Sequence, residues 1–372
     1  MVYFMHPFYN TIIMKKALFV YFALITYCFL SCSEKSVNKV TSLVEYDSIS
    51  VSIDYPILPA YSKLSSFVGD KAVYAVGYNH HLHSLDFVNF SGGKHHVVEF
   101  QREGADAILP PVAFCLIGDY IVWEDASGVV LLTLEGKVIK RFSLGSDGEY
   151  LMKPLGVTNA ALVNLYKGND HVFIPMTSAE MNENVFIGKS LNLKNSALDF
   201  LPIKYPQEIV GMTNILGGLA FPNITDNGNR ILYSFPCSSM VYVYDKKSEK
   251  MTSIDMKTYT IVNQLDIEGF ATMSPRKKFE AESTSARFGE TYYSVNLGKY
   301  YRVHYGKKEH LFDKTRETYL MLFDENTGSS IEYLLPRHFS EQYMVLDDVI
   351  YFMYTNDDDS IFKYAKIDLK NL

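Results

Sequence analysis

The pattern that organises the chain is a short run in which β-formers alternate, then a polar turn, then a second alternating run. It is clearest from Val241 to Met256: Val241-Tyr242-Val243-Tyr244, a turn from Asp245 to Lys250, and renewed alternation through Met251, Ser253 and Asp255 against Thr252, Ile254 and Met256. Period-2 alternation with this turn chemistry predicts a β-hairpin. Related units recur along the sequence. Ala72 to Val76, Leu82 to Phe87 and His95 to Phe100 predict one group of strands. Phe114 to Leu116, Tyr120 to Trp123, Val129 to Leu134 and Val138 to Leu144 predict a second. Ala161 to Tyr166, His171 to Pro175, Asn184 to Leu193 and Ala197 to Ile203 form a third, and Arg230 to Phe235 precedes the Val241 hairpin in a fourth. Thr291 to Val295, Tyr300 to Tyr305, Thr318 to Phe323 and Ser330 to Leu335 form a fifth.

The last group, Val349 to Tyr354 and Ile361 to Ile367, ends one strand short, while Ile49 to Ile53 stands unassigned ahead of the first. An open sheet edge at the seam would template aggregation, and borrowing the N-terminal strand closes the ring. The expected fold is therefore all-β, a six-bladed β-propeller whose last blade is completed by an N-terminal strand, with seven blades as the alternative. Six blades across residues 43–372 average about 55 residues, above the compact repeat of about 40 to 45 and leaving room for insertions. Two β-sandwiches would also give many short strands, but would not need the N-terminal strand to complete the C-terminal repeat.

Composition agrees with this reading. Aromatic residues make up 14% of the 372, carried by 28 Tyr and 24 Phe, and such side chains favour pleated, half-buried surfaces. The formal charge of −7 argues against a nucleic-acid surface, which needs clustered cations to neutralise phosphates. Arg276-Lys277-Lys278 and Lys307-Lys308 read as solvated loop charges.

The N-terminus predicts an address. Met14-Lys15-Lys16 is a cationic start, Ala17 to Leu30 an apolar run too short to span a bilayer, and Leu30-Ser31-Cys32 leads directly into polar residues. This resembles a bacterial lipoprotein signal, with Phe29 where Leu is more usual. The resemblance implies that residues 1–31 are cleaved, translation starting in effect at Met14, and that Cys32 is lipidated. Residues 32–42 would then form a tether and 43–372 a single domain, held at the outer membrane on a side the sequence leaves open. Cys115 and Cys237 remain in the domain, in non-neighbouring blades, and are expected as two buried thiols.

Candidate chemistry is sparse. Two glycine-acid segments, Phe100 to Gly104 and Gly145 to Tyr150, follow the outer strands of the first two blades, so Arg102, Glu103, Asp106, Asp147 and Glu149 could line a polar mouth over the channel and bind a ligand or Ca²⁺. The plainer reading is acids capping tight turns. His81 and His83, with His95 or His96 from a partner strand, could form a three-imidazole zinc site, but no specific ligand spacing accompanies them. Tyr292, Tyr293, Tyr300, Tyr301 and Tyr305 could make a sugar-stacking platform or simply pack across the sheet. Nucleophile elbow, phosphate loop and zincin motifs are absent.

The repeated strand, aromatic-Asp turn and strand, with the two glycine-acid segments, resembles the six-bladed propeller lipoproteins of Bacteroidota, of TolB-like or NHL-like type. That resemblance implies an envelope-anchored, monomeric binding or scaffolding module for a glycan, peptide or envelope protein. A lactonase-like hydrolase or lyase with a channel calcium is the alternative.

Overall fold

The computed structural model describes residues 39–372 apart from positions 44, 55–56, 59–60, 62, 70–71, 93, 143–149, 152–164, 169, 179–183, 211–216, 261–268, 314 and 355–359. Six blades, each built on four antiparallel strands, account for the repeats; five use consecutive strands and the sixth takes its outer strand from the N-terminus, the expected closure. Blade 1 runs Leu64–Val68, Val73–Asn79, Ser84–Asn89 and His96–Glu99 from inside to outside. Blade 2 runs Ala113–Ile117, Tyr120–Asp125, Gly128–Thr133 and Val138–Phe142. Blade 3 holds Tyr166–Lys167, His171–Pro175, Gly188–Asn192 and Leu198–Phe200. In blade 4, Asn223–Asp226 and Arg230–Ser234 precede the hairpin Met240–Asp245 and Lys250–Asp255. Blade 5 comprises Arg287–Ser294, Lys299–Tyr305, Thr318–Asp324 and Ser329–Leu334.

Blade 6 contains Phe339–Leu346, Val349–Tyr354 and Ile361–Asp368, and Asp47–Ser52 pairs antiparallel with the last of these as its outer strand. The ring is closed by the segment the sequence left over. A further strand, Lys39–Ser42, adds parallel to Ser329–Leu334 of blade 5, so the end of the expected tether is part of the sheet.

The core lies between blades, one apolar cluster at each junction. The Val241 hairpin shows how the alternation works. Tyr242 and Tyr244 enter the cluster shared with blade 3, while Val241 and Val243 enter the one shared with blade 5. Both faces of a middle strand are buried, so the alternation is between two apolar kinds of residue rather than between apolar and polar. Its turn is held by Asp245 Oδ1, which accepts from Ser248 N and Oγ, each at 2.8 Å. The Asp47–Ser52 strand takes part in the blade 6 to blade 1 cluster, where Val51 and Ile53 lie with Phe362, Ala75 and Val88.

Successive strands reverse, so the turns joining the first to second and third to fourth strands share one end of the ring. Connections between second and third strands, and between blades, share the other. The helix Pro275–Thr284, with Pro at its first turn, lies in the blade 4 to blade 5 connection at that second end. Cys115 and Cys237 form no disulfide, as expected, but only Cys115 is fully buried; Cys237 is half-buried.

Candidate functional site

A funnel of about 920 Å³ runs down the propeller axis, lined by the innermost strands. Its mouth is framed by first-to-second-strand turns, among them Asp226-Asn227 of blade 4, Val295-Asn296 of blade 5 and Asp347-Asp348 of blade 6. These turns are braced. Lys246 Nζ pairs with Asp226 at 2.8 Å, Asn296 Nδ2 donates to Asp348 at 2.6 Å, and the Tyr301 hydroxyl donates to the Asp347 carbonyl at 3.0 Å.

The two sides of the funnel differ in charge. Lys167, on the short inner strand of blade 3, reaches past blade 2 to blade 1. Its Nζ donates to Ser66 Oγ at 2.7 Å and contacts the Ser66 carbonyl at 3.4 Å. Among the described residues no carboxylate lies within ion-pair distance of it. Lys167 is exposed to the funnel, and partial desolvation by the surrounding walls lowers its pKa against the opposing influence of Cys115 and Glu290.

The facing wall comes from blades 5 and 6, whose inner strands both bulge. In blade 5, Phe288 pairs with His304 and Thr291 with Arg302, so Gly289 and Glu290 together oppose Val303. In blade 6, Phe339 pairs with Tyr354 and Tyr343 with Phe352, leaving Ser340 to Gln342 opposite Met353. Bulges of this kind re-aim side chains. Glu290 and Tyr343 both line the funnel, and the Tyr292 hydroxyl donates to Glu290. Burial, then the Glu290 charge, drives the phenols of Tyr292 and Tyr343 far above the ordinary tyrosine range, so both stay protonated donors. Gly289 is required by this packing, because a Cβ there would meet Tyr343 Oη at 2.8 Å and the Val303 carbonyl at 3.0 Å.

The residues singled out from sequence are placed elsewhere. Arg102, Glu103 and Asp106 lie in the connection from blade 1 to blade 2, at the opposite end from the funnel mouth, and none lines the funnel. Arg102 and Glu103 are exposed, and Arg102 reaches the His81 carbonyl at 3.4 Å. Asp147 and Glu149 lie outside the described residues, as does Cys32.

The imidazoles do not converge. His80 to His83 form a turn rather than a strand, with His83 in the left-handed region at φ 59. His81 therefore lies against His80, with ring centroids 3.9 Å apart and the rings tilted by 41°, instead of sharing a strand face with His83. Both ring nitrogens of His83 are engaged, Nδ1 with Tyr78 Oη at 2.7 Å and Nε2 with the Ile108 carbonyl at 2.9 Å. His95 lies in the third-to-fourth-strand turn at the other end of the blade, between Asn89 N at 3.0 Å and the Ser52 carbonyl at 2.9 Å. Among the described residues no three His, Cys, Asp or Glu side chains are grouped to hold a metal, so neither the zinc nor the calcium expectation finds a donor set there.

The tyrosines divide. Tyr292, Tyr293 and Tyr301 line the funnel, whereas Tyr300 and Tyr305 are buried in the blades. Tyr292 stacks on its cross-strand partner Tyr301 at 5.4 Å, so sheet packing and cavity lining coexist. Sequence reasoning missed Lys167, Ser66 and Glu290. Only Glu290 carried a signal, since a glycine followed by an acid inside a strand marks a bulge.

The ring of six sheets around a funnel defines a six-bladed β-propeller with an axial cavity. Residues 40–327 match the family described as a domain of unknown function, DUF4221, and the chain belongs to that family. A DUF4221 member from Bacteroides vulgatus is similar over 87% of this chain and 97% of its own, at 13% identity and a TM-score of 0.65. A protein of Bacteroides fragilis described as exported is similar over 89% of this chain and 99% of its own, at 11% identity and a TM-score of 0.52. At these identities the likeness is one of fold. No curated protein matches the chain.

Proposed function

We propose that the chain is an outer-membrane lipoprotein, anchored through Cys32, whose propeller is a monomeric module that binds a small ligand or an extended partner segment in its axial funnel. The observation that carries the binding role is the charged lining of the funnel. A solvent-exposed lysine held by Ser66 and a bulge-presented glutamate share one cavity with tyrosines and with both polar and apolar residues of the inner strands. Concave sites with convergent, placed polar groups are where ligands bind. Support for the anchor is the cationic start, short apolar run and Leu30-Ser31-Cys32 boundary, and the similarity to a protein described as exported. Among the described residues no helix is long and apolar enough to cross a membrane.

Two measurements test the proposal. Intact mass of the mature protein should show a lipidated Cys32 as first residue, and Cys32→Ala should abolish the modification; an unmodified mature chain retaining residues 1–31 would refute the anchor. Val68, 61% exposed on the funnel wall, can be enlarged without disturbing the core. Val68→Trp should leave stability within about 0.5 kcal/mol of wild type while weakening ligand binding, read by calorimetry.

A further inference from the structure

A second cluster of charges lies at the end of the propeller opposite the funnel mouth, where blades 5 and 6 meet. Arg287 opens the inner strand of blade 5, Lys308 and Arg316 come from the connection between its second and third strands, and Glu341 belongs to the bulge of blade 6. The three cations converge on the one carboxylate. Arg287 Nη2 donates to Glu341 Oε2 at 2.6 Å, Lys308 Nζ lies 2.5 Å from Oε1, and Arg316 Nε lies 3.2 Å from Oε1 without the alignment of a hydrogen bond. Burial by itself would raise the Glu341 pKa, yet the charges of Arg287, Arg316 and Lys308 outweigh it, so the carboxyl is ionised.

The charges do not balance. Arg316 is occupied by the end of the helix Pro275–Thr284: Nη1 donates to the Ser285 carbonyl at 2.7 Å and the Gly306 carbonyl at 3.0 Å, and Nη2 to the Ser283 carbonyl. Arg287 and Lys308 are left to share Glu341. Arg287 Nη1 is buried with no hydrogen-bond partner among the described residues, and the Lys308 ammonium has N–H groups beyond the one directed at Glu341. The Tyr305 ring lies beneath both guanidinium groups, at 5.4 and 5.9 Å, and burial keeps its phenol protonated. Glu290 also acts on that phenol, less strongly than Glu341, and accepts from Tyr292. Counting it still leaves three cations against two carboxylates. Burial, then repulsion by Arg287, brings the Arg316 guanidinium down to about 10, a sign of the surplus.

Surplus cations held away from bulk water favour an incoming anion. The room decides its kind. The side chains of Arg287, Lys308 and Glu341 are 12, 13 and 19% exposed, which leaves a narrow approach. A phosphate or sulfate dianion would set two charges against Glu341. A halide carries one charge and accepts N–H groups from any direction. We propose that Arg287 Nη1 and Lys308 Nζ hold a halide ion, chloride in the cell, which completes the junction of blades 5 and 6. The site is independent of ligand binding in the funnel.

The test follows thermal unfolding of the purified full chain in detergent, in sodium chloride, bromide, sulfate and gluconate at equal ionic strength. Chloride and bromide should raise the midpoint with concentration until it saturates, and the bulky gluconate should not. Arg287→Met should remove the halide-specific rise; should it fail to fold, Lys308→Met carries the same expectation and leaves the Arg287 ion pair in place. Glu341→Gln removes the competing carboxylate and should tighten halide binding roughly 10-fold, whatever it does to the midpoint without halide. An ion-pair network with no anion site would show no such gain. Crystals soaked in bromide should give an anomalous peak beside Arg287 and Lys308. No difference between halides and gluconate in wild type and Glu341→Gln, a response unchanged in Lys308→Met, a larger effect of sulfate than of chloride, or bromide bound only elsewhere overturns the halide site.

Discussion

At the scale of single residues, the same strand, Arg287–Ser294, serves both site and stability. Gly289 belongs to the bulge that aims Glu290, and its missing Cβ makes room for the Tyr343 hydroxyl. Gly289→Ala should displace that ring or the neighbouring backbone, at a cost of roughly 1 to 3 kcal/mol in urea unfolding and a measurable loss of ligand affinity. A second residue-scale device lies at the outer side of the same blade. Glu332 is buried beside His304 at 3.2 Å and accepts from Tyr259 N and Thr258 Oγ1, each at 2.9 Å, pinning the connection that leaves blade 4. Burial by itself would raise its pKa, yet the hydrogen bonds from His304, Thr260 and Tyr259 outweigh it and hold the carboxyl at about 2. A carboxylate depressed in the folded state stabilises above its unfolded pKa, near 4.5, and loses that contribution as pH falls towards 2. His304, held neutral chiefly by burial, adds a loss in the same direction as pH falls below its ordinary value of 6.5. Wild type should therefore lose roughly 2 to 3 kcal/mol between pH 5 and pH 2 from Glu332 alone. Glu332→Gln should be less stable at pH 7 and show a flatter acid profile; parallel profiles in denaturant titrations at each pH would contradict this.

At the scale of elements, what was legible in the sequence follows from burial. Middle strands are buried on both faces, so Val-Tyr-Val-Tyr and its relatives are continuous apolar segments bounded by turns, and they stand out. Inner strands face the funnel on one side and read poorly. Leu64–Val68 is Leu-Ser-Ser-Phe-Val, Asn223–Asp226 is Asn-Ile-Thr-Asp, and neither was recognisable as a strand from its pattern. The site residues Ser66 and Lys167 sit on such strands, which is why the site was less legible than the fold. The strand at residues 49–53 was legible because its alternation had no partner nearby, and the incomplete last repeat supplied one. That closure can be separated from mere addition. Val51, 5% exposed, faces the blade 6 to blade 1 cluster, whereas Val40 on the added strand of blade 5 is 49% exposed. Val51→Asp should cost more than about 3 kcal/mol and promote association through the opened edge, while Val40→Thr should stay within about 0.5 kcal/mol. Unfolding midpoints and size-exclusion profiles of the two variants decide it, and comparable effects would mean that the ring does not depend on this strand.

At the scale of the whole molecule, the position of Lys39 links the anchor to the funnel. Strand Lys39–Ser42 runs parallel to Ser329–Leu334, with Lys39 opposite Ile331, so the chain enters blade 5 near its Asp324 to Gly328 turn. That turn belongs to the same end of the ring as the funnel mouth. Lys39 lies seven residue steps after Cys32, and a fully extended chain of that length spans at most about 25 Å. A lipid on Cys32 would therefore hold the mouth end of blade 5 close to the bilayer and leave the helix Pro275–Thr284 on the distal end. The consequence is that ligands would enter from the narrow space between propeller and membrane. Fluorophores placed at Asn326→Cys on the near end and at Lys277→Cys on the distal helix, in lipidated protein reconstituted into vesicles, should differ at least twofold in quenching by headgroup nitroxides. Equal quenching, or stronger quenching at position 277, would mean that the funnel faces away from the membrane, whereas a Cys32→Ala control that still binds vesicles would instead remove the anchor from the argument.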